Sequence, residues 1–501
     1  MAISTFKIYT IENIDYDAII KKYRQLCEEG EKEVDANSIS VYGSEVKYVQ
    51  TRKPRKPLKD DTSIINKTKY LVHTIAFKQL INKEDNVNGV SLLSKILQDV
   101  IGLDAYELLK ALDILEYIKI SKQYIIGKSA RRYEILGNIH QTRETNRVVK
   151  EYIEKTKKIL KETIRKKMET SEFKSMYGNS FAETYIKNLN KFNINEEKLD
   201  KIAKRQKRIG KIHYYEFIKE SFKDDLKIYS IDNNNRFYHI LTSLKRELKQ
   251  YVNIKFSIDC KNSHPLIFNY FIYSNKGISI ELSYLISSIL YKINKSSIIT
   301  HNNHYNIEEL CNILNNSGVS KSIIAKFTQD ELLYLWKTTT GRFWDDIVAE
   351  NDGKYKRSVI KKRMFAQVFY AKKEKDSLFA RQFKRDFPNV YTLILRWKQP
   401  LLYADLQQNL LARKKAVKLG DVTYMSKQET ALPNIMMNIE AEIFGEILKS
   451  LYKKRISAVH IHDCIVIPKT RTQVEEQKVE DVMRAVYKKF GLHPTLSVDK
   501  Y

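Results

Sequence analysis

Three short islands in the second half of this 501-residue chain carry residue types suited to holding metal ions and phosphates. The first is YVNIKFSIDCKNSHPLIF, residues 251–268, where Val252, Ile254, Phe256 and Ile258 alternate with polar residues. A period of two predicts a β-strand with one buried face, closing on Asp259, whose carboxylate at a strand end can reach a metal. Taken alone, such an aspartate is usually a turn residue. The second island is VHIHDCIVIPK, residues 459–469. Two strand-like runs flank His462 and Asp463 with almost nothing between them, which predicts a tight hairpin with the acid at its tip. A His-Asp pair also occurs in metal phosphohydrolases, but those need further histidines on helices, and the pattern here is β. His301 and His304, in the Asn-rich stretch HNNH, read as loop residues.

The third island is RSVIKKRMFAQVFYAKKEK, residues 357–375, with Arg357, Lys361, Phe365 and Phe369 spaced four apart. At 3.6 residues per turn they form one slowly rotating stripe on a helix. Core helices also carry apolar stripes, but a core stripe would not begin with Arg and Lys. A run of two cations and two aromatics suits a triphosphate lying along the helix, with base and sugar at the aromatic end.

The elements that must position these islands differ along the chain. Residues 1–61 are polar and mixed, ending in the basic stretch TRKPRKPLKDD, which reads as a linker able to touch phosphate. Residues 62–140 hold three helical patterns and then two β-type runs around Gly127. This is the plan of a winged helix-turn-helix, with Lys128, Arg131 and Arg132 on the wing that would follow a DNA backbone. Many such modules bind proteins instead. Residues 141–230 are a charged helical tract, and most tracts of this kind are solvated helix faces.

There are 88 Lys and Arg residues against 60 Asp and Glu, a net charge of +28, as expected of a chain with a polyanionic partner. A composition rich in Lys, Ile, Asn and Tyr reaches the same charge by drift, so charge supports a case without making one. The four cysteines (Cys27, Cys260, Cys311, Cys464) form no C-x-x-C pair, which argues against a zinc ribbon or a disulfide scaffold. The opening MAISTFKIYT lacks the plan of a signal peptide, and no apolar run approaches the ~18 residues of a membrane span. A cytoplasmic protein without membrane contact is expected.

In this order the three islands resemble the motifs of family A DNA polymerases and of their relatives, the single-subunit phage-type RNA polymerases. The match runs through Asp259, then Arg357 and Lys361 with Phe369, then His462 and Asp463, and covers roughly residues 231–501, patchily outside the islands. The resemblance implies an α+β right-hand palm over 231–501, with helical fingers inserted at about 300–375 and the 141–230 tract in the place of the thumb. It implies that Asp259 and Asp463 hold two Mg²⁺ ions, with Mn²⁺ as an alternative, and that Arg357 and Lys361 hold the incoming triphosphate. Phe365, Phe369 and Tyr370 would lie toward base and sugar, and His264 would gate the sugar. Arg236, Lys245, Arg246 and His462 would contact a DNA primer–template. Two ions suit an in-line displacement at phosphorus, one for the attacking hydroxyl and one for the leaving group.

The departures are specific. Cys464 stands where the DNA enzymes carry Glu, and Phe369-Tyr370 replaces their tyrosine-glycine. Tyr370 takes the tyrosine's place only if the register slips by one to Lys362. Bulk at His264 favours deoxynucleotides. The expected activity is therefore template-directed DNA synthesis by an enzyme of mobile-element or phage type. The rivals are a non-catalytic DNA-binding initiator with a degenerate palm and a single-subunit RNA polymerase.

Overall fold

The computed structural model describes residues 6–33, 38–41, 44–47, 50–81, 90–92, 94–121, 132–205, 209–224, 227–232, 234–293, 306–351, 354–371, 374–398, 431–470 and 474–501. It is a helix-rich α+β chain with small antiparallel sheets, divided into two compact units: 1–166 with 194–230, and 167–193 with 231–501.

In the first unit, strand Phe6–Ile11 pairs antiparallel with Ile139–Glu144. Asp15 caps helix Tyr16–Glu29 by accepting from the Ala18 backbone N–H, and this helix buries Ile19, Ile20, Tyr23 and Cys27. The described part of the first sixty residues is thus not a segment apart, because Tyr9, Ile11, Ile19, Ile20, Tyr23 and Cys27 belong to the unit's core. The basic stretch is anchored too: Arg55 reaches inward to Asp104 at 2.7 Å and Glu107 at 2.9 Å. Helices Asp61–Ile81, Ser94–Ile101 and Asp104–Ile114 adjoin a three-stranded sheet of Val90–Ser91, Arg132–Ile135 and Ile118–Ile120. Arg132 opens the middle strand, whereas Lys128 and Arg131 lie outside the described residues.

The second unit contains the three islands. Its four-stranded antiparallel sheet has the order Val459–Ile461, Cys464–Pro468, Ile254–Cys260, Leu496–Lys500. Ile254, Phe256 and Ile258 point to the core, as the alternation predicts, while Asp259 stays half-buried. Helix Ser263–Asn275 follows and is apolar nearly all round, so it sits in the interior with Leu266, Ile267, Phe268, Phe271 and Ile272 enclosed. The long helix Ala431–Lys453 buries Leu432, Ile435, Met436, Ile439, Ile443, Phe444 and Ile447, a helical period of threes and fours.

The tract expected as one thumb-like segment is split. Helices Ser171–Tyr177 and Phe181–Leu189 pack in the second unit, where Tyr177 lies against Gly445 of the long helix and Tyr185 reaches His460. Helices Glu196–Lys204 and Ile209–Lys223 belong to the first. The apolar faces within the charged tract, not its shared polarity, decide which core each helix joins. Among the described residues no helix is long and apolar enough to cross a membrane.

Candidate active site

Asp259 pairs in register with Cys464, the residue after Asp463, and the Cys260 backbone N–H donates to the Asp463 carbonyl at 3.0 Å. Strand pairing therefore brings together two aspartates 204 positions apart. His462 holds the hairpin tip in a left-handed conformation, φ 54°, which lets a two-residue loop close. Behind it, buried His460 is pushed down to about 3 by desolvation and by His239, so a neutral imidazole backs the hairpin.

Both carboxylates hold their protons more tightly than free aspartates do. Burial and then the Asp463 charge push Asp259 up to about 7, against the pull of Lys361. Burial and then Glu440 raise Asp463, again opposed by Lys361. Asp499 on the edge strand adds negative charge near Asp259, and Lys249 offsets it. Among the described residues no group of three or more His, Cys, Asp or Glu side chains is placed to hold a metal. A pair of carboxylates under mutual repulsion nevertheless fits a magnesium site of the kind that substrate phosphates and water complete.

Beside the pair lies a cleft of about 230 Å³ lined by residues of all three islands: His264, Lys361, Phe365, Tyr370, His462 and Asp463 among them. Arg236 also lines it. Arg357 does not: it is exposed and bonds Asp345 at 2.9 Å, one turn too far from the cleft. Lys245 and Arg246 likewise lie off the cleft, at the start of the 3₁₀ turn Arg246–Tyr251. Lys361 is thus the cation of the stripe that reaches the carboxylates, and its ammonium stands 6.0 Å from the Phe365 ring centre.

Phe369 is not at the cleft. It is fully enclosed against Phe268, Phe365 and Phe383. The reason is a change of helix type: Arg357–Met364 is α-helical, but Phe365–Phe369 forms a π turn, closed by Tyr370 N–H donating to the Phe365 carbonyl at 2.7 Å. The wide turn takes up one extra residue. The ninth position after Lys361 therefore faces where the eighth would, and Tyr370 lines the cleft without any slip to Lys362.

Five cleft residues are not singled out in the sequence: Asn262, Ser263, Pro265, Trp344 and Glu440. In the sequence Glu440 is one of two acids, with Glu442, in the otherwise largely apolar run MMNIEAEIF. Glu440 is buried, bonds Arg236, accepts from Ser263 Oγ at 2.9 Å and lies 3.2 Å from His264 Nε2. Burial would raise it, but His264, Arg236 and Ser263 hold it down to about 2. His264 Nδ1 in turn bonds the Tyr370 hydroxyl, whose proton is retained because burial and the Glu440 charge raise its pKa. Asn262, at φ 59°, keeps both side-chain polar atoms buried without a protein partner.

No family model and no curated protein matches this sequence. Among solved structures it is distantly similar to the POL domain of Pol1 from M. smegmatis in complex with DNA primer-template and dNTP, at 10% identity and a TM-score of 0.23. The alignment covers 62% of this chain and 56% of that one, so it spans little more than half of that structure's length.

Proposed function

We propose that the chain is a template-directed nucleotidyltransferase, a DNA polymerase that extends a primer. The observation that carries this reading is the meeting of Asp463 and Lys361 at one cleft, with Asp259 close enough to feel the charge of both, from three sequence islands in polymerase order. Divalent ions bound by the two aspartates would activate the attacking 3′-hydroxyl and support the leaving pyrophosphate. The chain's own groups do the positioning. Lys361 neutralises phosphate charge beside the carboxylates, Phe365 and Tyr370 bound the space for base and sugar, and Arg236 and His462 approach the primer terminus. His264 and Tyr370, bonded to one another, fill the place where a 2′-hydroxyl would sit, which favours deoxynucleotides over ribonucleotides.

The order helix, strand, two helices, two strands over residues 61–135 is that of a winged helix-turn-helix. We read it as a DNA-contacting module with Arg132 on it, suited to a replication enzyme of a phage or mobile element.

The test is primer extension on a primed DNA template with Mg²⁺, offering dNTPs and rNTPs separately. Asp463→Asn should lower extension by at least about 10²-fold while DNA binding, followed by fluorescence anisotropy, is kept. Tight binding with no extension by the native protein would instead mark a non-catalytic DNA-binding protein, and equal use of rNTPs an RNA polymerase.

A further inference from the structure

Lys398 is a part-buried cation that the proposed reaction does not use. It follows helix Pro388–Trp397, whose Trp397 ring packs edge-on against Phe271 with 5.3 Å between ring centres. Among the described residues no carboxylate pairs with it, and burial alone pushes its ammonium down to about 8. A cation without a counter-charge is costly to take out of water, so a polar partner must offset the loss. That partner is the Val368 carbonyl, to which Nζ donates, inside the π turn Phe365–Phe369.

We infer that Lys398 is a positioning residue that holds the π turn in shape and so keeps the Tyr370 ring at the cleft. The last carbonyls of a helix have no donor within it, and that end of the helix favours a cation. Val368 is fully enclosed, so its carbonyl needs a partner from the protein. Lys398 supplies one from a separate helix that the core holds through Trp397. An α turn over the same residues would pair the Tyr370 N–H with the Ala366 carbonyl instead of the Phe365 carbonyl. It would carry the Tyr370 side chain about 100° further round the helix, away from the cleft. The bonds that Tyr370 makes, through its N–H to Phe365 and through its hydroxyl to His264, both presuppose the wide turn. Lys398 is thus a brace applied from outside the turn.

This inference rests on the polymerase reading for what Tyr370 does, bounding the space for base and sugar, but not for what holds it there. Lys398→Met keeps the length of the side chain and removes the donor. Should that variant not fold, Lys398→Gln, polar but too short to reach the carbonyl, carries the same comparisons.

The experiment has two readouts. Hydrogen exchange resolved to the Tyr370 backbone N–H, the group that closes the turn, should be faster in Lys398→Met by about tenfold or more, the worth of one hydrogen bond from a charged group. Amides of the four-stranded sheet should keep their rates, which separates local loosening from a general loss of stability. An unchanged Tyr370 amide, or equal acceleration in the sheet, overturns the inference. Second, Lys398→Met should raise KM for dNTP in primer extension by about three- to tenfold and spare kcat. On a Tyr370→Ala background the same change should add nothing. A loss confined to kcat, or an equal rise in KM on both backgrounds, overturns the route through Tyr370. Failure of the native protein to extend a primer would sink the polymerase reading and leave the exchange result standing.

Discussion

Asp259 and Asp463 bring two carboxylates close together in a partly buried place. Each is half-buried, each carries a neighbouring negative charge, and Lys361 offsets only part of it. Asp259 is raised to about 7, so below that pH a proton competes with any cation for the pair. If the pair holds a metal ion, binding must displace that proton, and apparent affinity should rise with pH, up to about tenfold per unit below pH 7, and level off above it. Mn²⁺ titrations followed by electron paramagnetic resonance between pH 5.5 and 8.5 check this. A pH-independent affinity would mean that the carboxylates do not hold the ion. Asp259→Asn should abolish the slope along with most of the binding.

The helix from Arg357 shows what one widened turn does. By turning Phe369 inward, the π turn makes it a core residue among Phe268, Phe365 and Phe383 and gives the cleft to Tyr370. Phe369→Ala should cost about 3–5 kcal/mol of stability in urea unfolding, as a large-to-small change in a packed core does. Tyr370→Phe should cost far less, because the ring stays and the loss is one hydroxyl bond to His264. The long helix makes a comparable fit at Gly445, where an added Cβ would stand 2.5 Å from the Tyr177 ring. That ring cannot move aside freely: it is buried, and its hydroxyl donates to the Asn235 carbonyl at 2.9 Å, next to Arg236. Gly445→Ala should destabilise the chain by about 1–3 kcal/mol through overpacking. Thermal unfolding measures the loss, and an unchanged midpoint would show that the helix contact is looser than the geometry implies.

Over the whole molecule the charge of +28 is the dominant fact for a polyanionic partner. If DNA is that partner and about six to ten phosphates are neutralised, binding to nonspecific duplex should weaken by about 10³–10⁵ between 50 and 200 mM salt. A shallow salt slope would point to drift as the source of the surplus. Division into two units adds a separate expectation, because each holds its own core and its own buried polar network. In the first, Asp104 binds Arg55 and Lys67 and accepts from Tyr23, and these partners hold its carboxyl below the usual range against the cost of burial.

The sequence by itself determined the strand ending near Asp259, the hairpin with Asp463 at its tip and the cationic helix start at Arg357, because each rests on local periodicity or on a two-residue turn. It also disclosed the departures, Cys464 and the Phe369-Tyr370 pair, since these are matters of residue identity. Tertiary structure decided the rest. That Lys361 rather than Arg357 reaches the carboxylates depends on how the helix is set against the sheet, and that Tyr370 replaces Phe369 depends on one extra residue in a turn. Glu440, Ser263 and Asn262 became cleft residues only when the long helix and the strand–helix junction were brought together. Likewise the charged tract after residue 141 offered no local sign of which core its helices would join. Periodicity reports which face of an element is buried, but not what it is buried against, and a site built from contacts between distant elements is written in the second kind of information.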